Sequence, residues 1–495
     1  MEDQKLRTEL IFTVKVNDLP DDVTPTGVSV WKSFIGNSAD PEVRCFQQEP
    51  FLPSFQFSDQ DFQLDFSDKF KFEVKFEDGS VAFATIPSSE LARLPRLELQ
   101  LTRNELPMGS LELETTTGIT SETVYLKLKG VNLKDLDAWS KSDPYFQVIV
   151  PFQGSESRLY RSEVVMDNLD PFWRGFFLPK AYLNRDRRDV KIRIEVFDDD
   201  VGTSELIGAC LTTLTQLLAP DALLVLHKNA DGADSGPVTG RIKVEKAFAS
   251  PTKTLVDYMR TGVEFAMSVA IDFSAKNRPQ SDAKSLHNLA SESNSYLNAL
   301  KCLSSFFRNF DSNGKYDLYG FGAKVGGSDY VNHFFPIASN VLGPEGVEQE
   351  YREVLKRLEF SSPCYLHTML QNLILPYERR PVYTPPGPLV YNILVILTQG
   401  DLDDFEDFKD QLVRASNLPF SVVIVGVGNT AFPQLTTADS DRNLMKSASG
   451  HTEERDFVQR VIYTDFRGND RGFLHEAFAE IPRQLQEFMM ANKLA

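Results

Sequence analysis

The sequence has few cysteines and no long apolar run, and these absences exclude several classes of protein. Only four cysteines occur among 495 residues, and no two have the Cys-x-x-Cys spacing. This favours neither a disulfide framework nor a zinc knuckle, and a reducing compartment is the simpler interpretation. No stretch approaches the ~20 apolar residues of a membrane span, and the acidic first residues are unlike a signal peptide. We therefore expect a cytoplasmic protein.

Positive charge is also scarce in this chain. Lysine and arginine number 52 against 70 aspartates and glutamates, which gives a formal net charge of −18. A nucleic-acid binder needs a basic surface to neutralise phosphates, so we predict no nucleic-acid partner. Net charge alone would not hold the chain on an anionic membrane either. The excess of carboxylates makes a cation the more promising ligand.

The hydrophobic pattern divides the chain into three blocks. Alternating runs such as residues 70–76 and 190–197 predict two all-β blocks. After residue 250, short and nearly continuous apolar runs such as 391–397 alternate with helical segments, including 295–309 and 474–491. This alternation predicts a doubly wound α/β domain with a parallel sheet. We place the three domains at residues 1–117, 118–249 and 250–495.

Acidic residues in the second block gather beside its predicted strands. Asp137 and Asp143 precede one strand, whereas Asp198, Asp200 and Glu205 follow another. If the two loops meet, their carboxylates raise one another's pKa. Calcium, which accepts many oxygen ligands in a flexible geometry, would remove that conflict. A lone acidic turn is usually just solvated, but two clusters in a β context favour a cation site.

Motifs in the second and third blocks resemble those of a known family. Three stretches of the second block resemble the calcium loops and the Asn-Pro-x-Trp motif of a C2 domain, namely residues 130–145, 168–173 and 197–208. Four stretches of the third block resemble a von Willebrand factor A domain of the copine type, namely residues 255–259, 270–276, 320–323 and 418–429. The chain is thereby identified as a member of the copine family, in which two C2 domains precede an A domain. The first block is matched mainly by position and β-pattern.

The resemblance implies a partial calcium site in the second block. The residues that match calcium ligands are Asp137, Asp143, Asp198, Asp200 and Glu205. Val201 and Gly202 stand where the family has a further aspartate. Trp139, at the expected loop tip, has the amphipathic ring typical of a membrane interface. We expect at least one calcium ion to bind here.

In the first block, the same comparison predicts a divergent C2 domain without calcium. Thr26 and Gly27 replace the family's Asp-Pro pair, and Lys75 and Phe76 stand where an aspartate is expected. A lysine beside a calcium pocket opposes binding of the ion.

In the third block, the resemblance implies the remnant of a divalent-metal site. Asp272 and Ser274 match the family's ligands. The positions of three other ligands are taken by Lys276, Cys364 and Gln399. Because magnesium prefers hard oxygen ligands, and a thiol suits softer metals, we expect no magnesium here. Lys276 is expected to pair with Asp272 in place of the ion, and Asp401 is the one residue that would compensate.

Two functions remain open from the sequence. The first is a calcium-dependent phospholipid-binding adaptor, which docks on the plasma membrane or another membrane through its second C2 domain and recruits unidentified proteins through its A domain. The second is a calcium-independent scaffold in which every metal site has degenerated. No constellation of nucleophile, base and orienting group is visible, so we expect no enzyme activity.

Overall fold

The computed structural model describes most of the chain. The described residues are 8–34, 42–62, 68–118, 122–137, 139–152, 155–185, 188–200, 203–229, 236–290, 294–307, 315–379, 389–428, 432–438, 445–466, 468–492 and 494. Within these ranges, the helices are all too short or too polar to cross a membrane.

The N-terminal part, which we call the first β unit, is an eight-stranded antiparallel sheet in the order β3-β2-β5-β6-β7-β8-β1-β4. Its strands are β1 Thr8–Asn17, β2 Pro25–Phe34, β3 Val43–Gln48, β4 Ser54–Phe62, β5 Asp68–Phe76, β6 Val81–Pro87, β7 Arg96–Arg103 and β8 Leu106–Thr117, with one helix, α1 Ser88–Arg93. The predicted alternation is confirmed in β5, where Phe70 and Phe72 are fully buried and the intervening Lys71 is not.

The next part, the second β unit, is another eight-stranded antiparallel sheet, in the order β11-β10-β15-β16-β17-β18-β9-β12. Its strands are β9 Glu122–Val131, β10 Pro144–Phe152, β11 Ser155–Arg161, β12 Phe176–Pro179, β13 Asn184–Arg185, β14 Arg188–Asp189, β15 Ile192–Asp200, β16 Thr203–Thr212, β17 Leu223–His227 and β18 Val238–Pro251, with short helices α2 Lys180–Leu183 and α3 Leu214–Leu217. Strands β13 and β14 form a separate hairpin. Trp173 and Phe146 pack edge to face in the core, with ring centroids 4.8 Å apart.

The C-terminal part, the α/β unit, has a six-stranded sheet in the order β22-β20-β19-β24-β25-β26. All neighbours in it are parallel except β20 and β22. The strands of this sheet are β19 Val263–Asp272, β20 Lys315–Phe321, β22 Phe335–Leu342, β24 Leu389–Thr398, β25 Phe420–Gly426 and β26 Val458–Ile462. Strands β21 Ala323–Val325 and β23 Leu358–Phe360 pair in a separate two-stranded sheet. The helices are α4 Leu255–Arg260, α5 Ser295–Phe307, α6 Gly343–Leu355, α7 His367–Glu378, α8 Phe405–Ala415, α9 Pro433–Ala438, α10 Asp470–Phe478 and α11 Ile481–Ala491.

The prediction of buried parallel strands is confirmed, but one helix prediction is wrong. Every residue of β25 is buried, as both faces of a covered parallel sheet require. The predicted helix over 474–491 is instead two helices, α10 and α11, with Pro482 in the first turn of the second. Proline has no backbone N–H to continue a helix but fits a first turn, so it starts a new helix here.

Arg260 is one of the residues that tie the first β unit to the α/β unit. The Arg260 guanidinium, at the end of α4, donates to the carbonyl oxygens of Leu91, Ala92 and Thr115 at 3.0–3.1 Å. It also donates to the Thr115 hydroxyl at 2.7 Å. These bonds fix the start of the α/β unit on the first sheet.

Candidate functional site

One end of the second β unit brings the predicted calcium ligands together. Pro144 of β10 stands opposite Asp198 of β15, so the loop before β10 and the hairpin after β15 lie at the same end of the sheet. The backbone N–H of Asp143 donates to Asp198 Oδ1 at 2.6 Å. We call this the acidic end, comprising Asp137, Asp143, Asp198, Asp200 and Glu205.

Asp198 is the most enclosed member of the acidic end. It is 1% exposed, although its neighbours in sequence reach solvent. Its Oδ1 accepts the Asp143 N–H, but Oδ2 is buried without a hydrogen-bond partner in the described part of the chain. A buried carboxylate oxygen without a partner is costly, and a bound cation would remove that cost.

The carboxylates of the acidic end are close enough to repel one another. Partial burial, followed by the nearby carboxylates of Asp167, Asp198 and Asp137, raises the pKa of Asp143. Desolvation, then Asp198, Asp137 and Glu205 among other carboxylates, likewise raises the pKa of Asp200. Both carboxyl groups therefore take up protons more readily than ordinary aspartates. The same field favours a divalent cation.

Glu205 has a competing partner. It stands opposite Asp198 in the β15–β16 hairpin, which places the two side chains on the same side of the sheet. Its carboxylate also lies 3.6 Å from the Lys228 ammonium. Calcium coordination by Glu205 would have to displace this exposed ion pair, which contributes little to stability. Val201 and Gly202, which we expect to replace an aspartate of the family, lie outside the described residues.

Two acidic residues here were missed by the sequence analysis. The Asp167 N–H donates to Asp143 Oδ1 at 2.7 Å, and the Asp167 carboxylate raises the pKa of Asp143. Asp199 adds to the field at Asp200 and lies 3.4 Å from the Arg161 guanidinium. Asp167 directly precedes the motif at 168–173, and this position was the signal that could have identified it.

The acidic end fits calcium in the chemistry of its donors. Its side chains offer carboxylate oxygens, which calcium accepts in variable number and geometry. Among the described residues, however, no three histidine, cysteine, aspartate or glutamate side chains already stand as a metal-binding group. The orphaned Oδ2 of Asp198 is the atom that points most directly to a cation.

The two tryptophans near the acidic end have opposite environments. Trp173 is 1% exposed and donates its Nε1–H to the Pro144 carbonyl at 3.2 Å, which anchors the strand directly after Asp143. Trp139 is fully exposed at 101%. A fully exposed indole beside a candidate cation site matches the predicted interfacial role.

In the first β unit, residues that replace the family's calcium-loop residues also lie close together. Gly27 pairs with Lys75 across β2 and β5, and the Thr26 hydroxyl donates to the Lys75 carbonyl at 3.3 Å. The Lys75 ammonium lies 3.7 Å from the Glu49 carboxylate. Phe76 is 4% exposed, so its side chain packs in the core.

The predicted metal remnant of the α/β unit is centred on Asp272, at the end of β19. Asp272 is fully buried, and its Oδ1 accepts the Ser274 N–H at 2.8 Å. Its Oδ2 accepts the Thr398 hydroxyl at 2.8 Å and the Gln399 N–H at 3.3 Å. Burial raises the pKa of Asp272, although these hydrogen bonds oppose the shift. Both carboxylate oxygens therefore have protein donors.

The substituted positions around Asp272 form no oxygen cage. The Cys364 thiol donates to Asp272 Oδ1 at 3.8 Å, and burial followed by the Asp272 charge raises the pKa of this thiol. A protonated thiol is a poor metal ligand. The Gln399 side chain turns away and donates to the Asp401 carbonyl at 3.2 Å.

Lys276 differs from its predicted pairing with Asp272. Its ammonium lies 2.8 Å from Asp403 Oδ1 and 3.1 Å from Asp401 Oδ2. Asp401 is thus engaged by the lysine and does not compensate at Asp272. The physical reason is solvation, because the half-buried ammonium stays charged at the rim with two partly solvated carboxylates, whereas Asp272 is fully enclosed.

A buried histidine below Asp272 was also missed. His287 is fully buried, and burial lowers its pKa to about 3, so the ring is neutral. Its Nε2 contacts the Asp272 carbonyl at 2.9 Å, and its Nδ1 contacts the Tyr351 hydroxyl at 2.8 Å. No spacing in the sequence relates these residues, so only the fold reveals the contact.

Comparisons with known proteins identify two domains in this chain. A family model described as Copine matches residues 285–495, and one described as C2 domain matches residues 124–228. The predicted resemblance to the copine family is thereby confirmed. The acidic end lies within the C2 match.

Three curated relatives extend this similarity over most of the chain. Copine-D of Dictyostelium discoideum is 29% identical over 412 residues, covering 81% of this chain and 76% of the relative. Copine-C of the same organism is 28% identical over 386 residues, covering 74% and 69%. Nicotinic receptor-associated protein 1 of Caenorhabditis elegans is 28% identical over 418 residues, covering 77% and 65%.

Proposed function

We propose that this copine-related chain is a calcium-dependent phospholipid-binding adaptor, with no enzymatic activity of its own. In this proposal, residues 1–117 form a divergent C2 domain, residues 118–249 form a calcium-responsive C2 domain, and residues 250–495 form a von Willebrand factor A-type domain. The chain resides in the cytoplasm and attaches peripherally to the plasma membrane or another membrane. The family match and the C2 match support this assignment in general terms.

The observation that carries the proposal is the buried Oδ2 of Asp198 at the acidic end, which has no hydrogen-bond partner among the described residues. Desolvation, followed by the neighbouring carboxylates, raises the pKa values of Asp143 and Asp200 beside it. A calcium ion would satisfy Asp198 and neutralise its neighbours. Loops that had repelled an anionic headgroup would then attract one.

Trp139 gives the proposed membrane contact its apolar component. Its exposed indole lies two residues from Asp137, so calcium binding and ring insertion would occur on the same surface. Phospholipid headgroups would bind the ion while the ring enters the interface. This combination explains how a chain of charge −18 can dock on an anionic membrane.

We assign partner recruitment to the α/β unit. Asp272 is hydrogen-bonded by Thr398, Ser274 and Gln399, so recognition there would not depend on a magnesium ion. The relative named for association with a nicotinic receptor is consistent with recruitment of a protein.

Sedimentation with vesicles tests the proposal. The full chain is mixed with phosphatidylcholine vesicles, with or without phosphatidylserine, in calcium or in EGTA. We expect pelleting only with phosphatidylserine and calcium, and its loss in the variant Asp137→Asn with Asp198→Asn. Asp221→Asn is the matched control, because Asp221 lies between α3 and β17, at the opposite end of the sheet.

The alternative is a calcium-independent scaffold. It is favoured by the absence of a preformed three-residue metal group among the described residues and by the self-satisfied Asp272. The absence of calcium-dependent pelleting, or pelleting that the paired substitutions leave unchanged, would favour this alternative.

A further inference from the structure

Strands β9 and β18 present a face that combines two lysines with two aromatic rings. Lys127 stands opposite Lys246, and Tyr125 stands opposite Phe248. Residues opposite one another, or two apart on a strand, lie on the same side of a sheet. The two rings stack with centroids 5.2 Å apart. We call these four residues the β9–β18 face.

The two lysines of this face need anionic compensation. Like charges directly opposite one another destabilise a sheet, and Lys127 and Lys246 are such a pair. The chain as a whole carries a charge of −18, so carboxylates are available to compensate them. The α/β unit supplies the compensation. The Lys127 ammonium forms an ion pair with Glu454, and the Lys246 ammonium donates to the Ala491 carbonyl at the end of α11.

A buried ion pair beside the β9–β18 face also joins a cation of the second β unit to a carboxylate of the α/β unit. Arg174 of the second β unit pairs with Glu453 of the α/β unit, and the Glu453 side chain is fully enclosed. Burial alone would lower the pKa of Arg174. The carboxylates of Glu453 and Asp456 have the larger combined effect and raise this pKa. At both ion pairs the second β unit carries the cation and the α/β unit the carboxylate.

This junction has the properties of a separable contact. A buried ion pair contributes little net stability, because desolvation of both charges offsets their attraction. The junction also keeps a cleft of about 190 Å³, lined by Tyr125, Lys127 and Lys246 on one side and by Glu454 and Phe488 on the other. Two ion pairs and a hydrogen bond from Lys246 to a backbone carbonyl therefore cross this junction.

We propose that the β9–β18 face is a second binding surface for anionic lipid headgroups, masked in cis by the α/β unit. Glu454 and the Ala491 carbonyl occupy the positions that headgroup oxygens would take. Paired lysines attract an anionic leaflet, and bordering aromatic rings suit its interface. This surface needs no calcium, so it is independent of the docking proposed for the acidic end.

Charge reversal on the masking side provides the test. Glu454→Lys repels Lys127 at a partly exposed position, and Glu453→Lys with Glu454→Lys repels Arg174 as well. Glu406→Lys is the matched control, because it makes the same charge change at an exposed carboxylate that forms a local ion pair with Lys409. Each full-length variant is sedimented in EGTA with phosphatidylcholine vesicles, with or without phosphatidylserine, and hydrogen exchange is followed in α11.

The expected results separate opening from lipid binding. Glu454→Lys should speed exchange in α11 and raise pelleting with phosphatidylserine by about fivefold per lysine released, whereas Glu406→Lys should do neither. Combining Lys127→Glu with Glu454→Lys restores an ion pair and should return both readouts to the wild-type level. The proposal is overturned if neither masking variant pellets above Glu406→Lys, or if pelleting is equal without phosphatidylserine. If the double variant does not fold, the single variant and its charge-swapped partner decide the question.

Discussion

The acidic end of the second β unit and the Asp272 pocket of the α/β unit both contain a deeply buried aspartate, but they differ in how it is satisfied. Within the part of the chain that the structure describes, Asp198 has one carboxylate oxygen without a hydrogen-bond partner and several carboxylates around it. Asp272 has protein donors on both oxygens, from Ser274, Thr398 and Gln399.

This difference shows two outcomes for a buried carboxylate. In the second β unit, carboxylates crowd around Asp198, and only the outlying Asp199 and Glu205 lie near a cation in the described part of the chain, so a bound cation adds stability. In the α/β unit, hydroxyl and amide groups already donate to the Asp272 carboxylate, and Lys276 forms ion pairs with Asp401 and Asp403 at the rim. A metal would have to displace bonds that the protein makes for itself.

The largest stability effect is expected from removing the acceptor in the α/β unit. Asp272→Ala leaves the Thr398 hydroxyl and two backbone N–H groups without partners, at about 1 kcal/mol each, so the free energy of unfolding should fall by ~3 kcal/mol. Asp272→Asn keeps an acceptor and should lose less. Chemical denaturation measures the free energy of unfolding of both variants. Equal stability of wild type and Asp272→Ala would show that the donors around Asp272 do not depend on its carboxylate.

Calcium should stabilise the chain through the acidic end alone. Free calcium at 100 times its dissociation constant should add about 2.7 kcal/mol to the stability of the second β unit. The measurement is a thermal melt with calcium or EGTA. The shift should disappear in Asp143→Asn with Asp198→Asn and persist in Asp221→Asn. A shift that survives the paired substitutions would place calcium elsewhere.

Acid should weaken calcium binding. Because the pKa values of Asp143 and Asp200 are raised in the folded chain, the folded state holds more protons than the unfolded one as these groups titrate. Without calcium, their contribution to stability is therefore largest at low pH and is lost as pH rises through the raised pKa values. Calcium competes with those protons, so its affinity should fall by up to about tenfold per pH unit below them. Titrations at several pH values check this, and a flat profile would contradict it.

Trp139→Ala should weaken membrane docking without changing stability. Insertion of about 50 Å² of the ring is worth ~1 kcal/mol, so affinity for phosphatidylserine vesicles in calcium should fall about fivefold. The exposed side chain makes no core contact, and the melting temperature should be unchanged. Trp139→Phe should keep much of the affinity. Unaltered vesicle binding in Trp139→Ala would show that the loop tip stays out of the interface.

The smallest effect is expected from Lys276→Ser. The lysine is partly solvated and pairs with two carboxylates at the rim, so its loss should cost less than ~1 kcal/mol. Magnesium binding should not appear, because Cys364 and Gln399 still replace oxygen ligands. Calorimetry with magnesium checks this, and micromolar binding would show that Lys276 alone blocked the site.

Periodicity predicted the strands well, because apolar alternation and continuous apolar runs are local properties. The same reasoning merged α10 and α11, since their apolar spacing continues across the break before Pro482. At the candidate sites, the sequence identified Asp198 and Asp272 as individual residues. It did not predict that Thr398 would serve Asp272 from 126 residues away, or that Lys276 would turn to Asp403. Such partnerships depend on tertiary packing.

A calcium titration of the full chain, compared with Asp198→Asn and Asp272→Asn, tests the central claim most directly. The two substitutions make the same change at the two buried aspartates. We predict that calcium binding is lost or strongly weakened in Asp198→Asn and unchanged in Asp272→Asn. Calcium binding that is retained in Asp198→Asn and lost in Asp272→Asn would contradict the account.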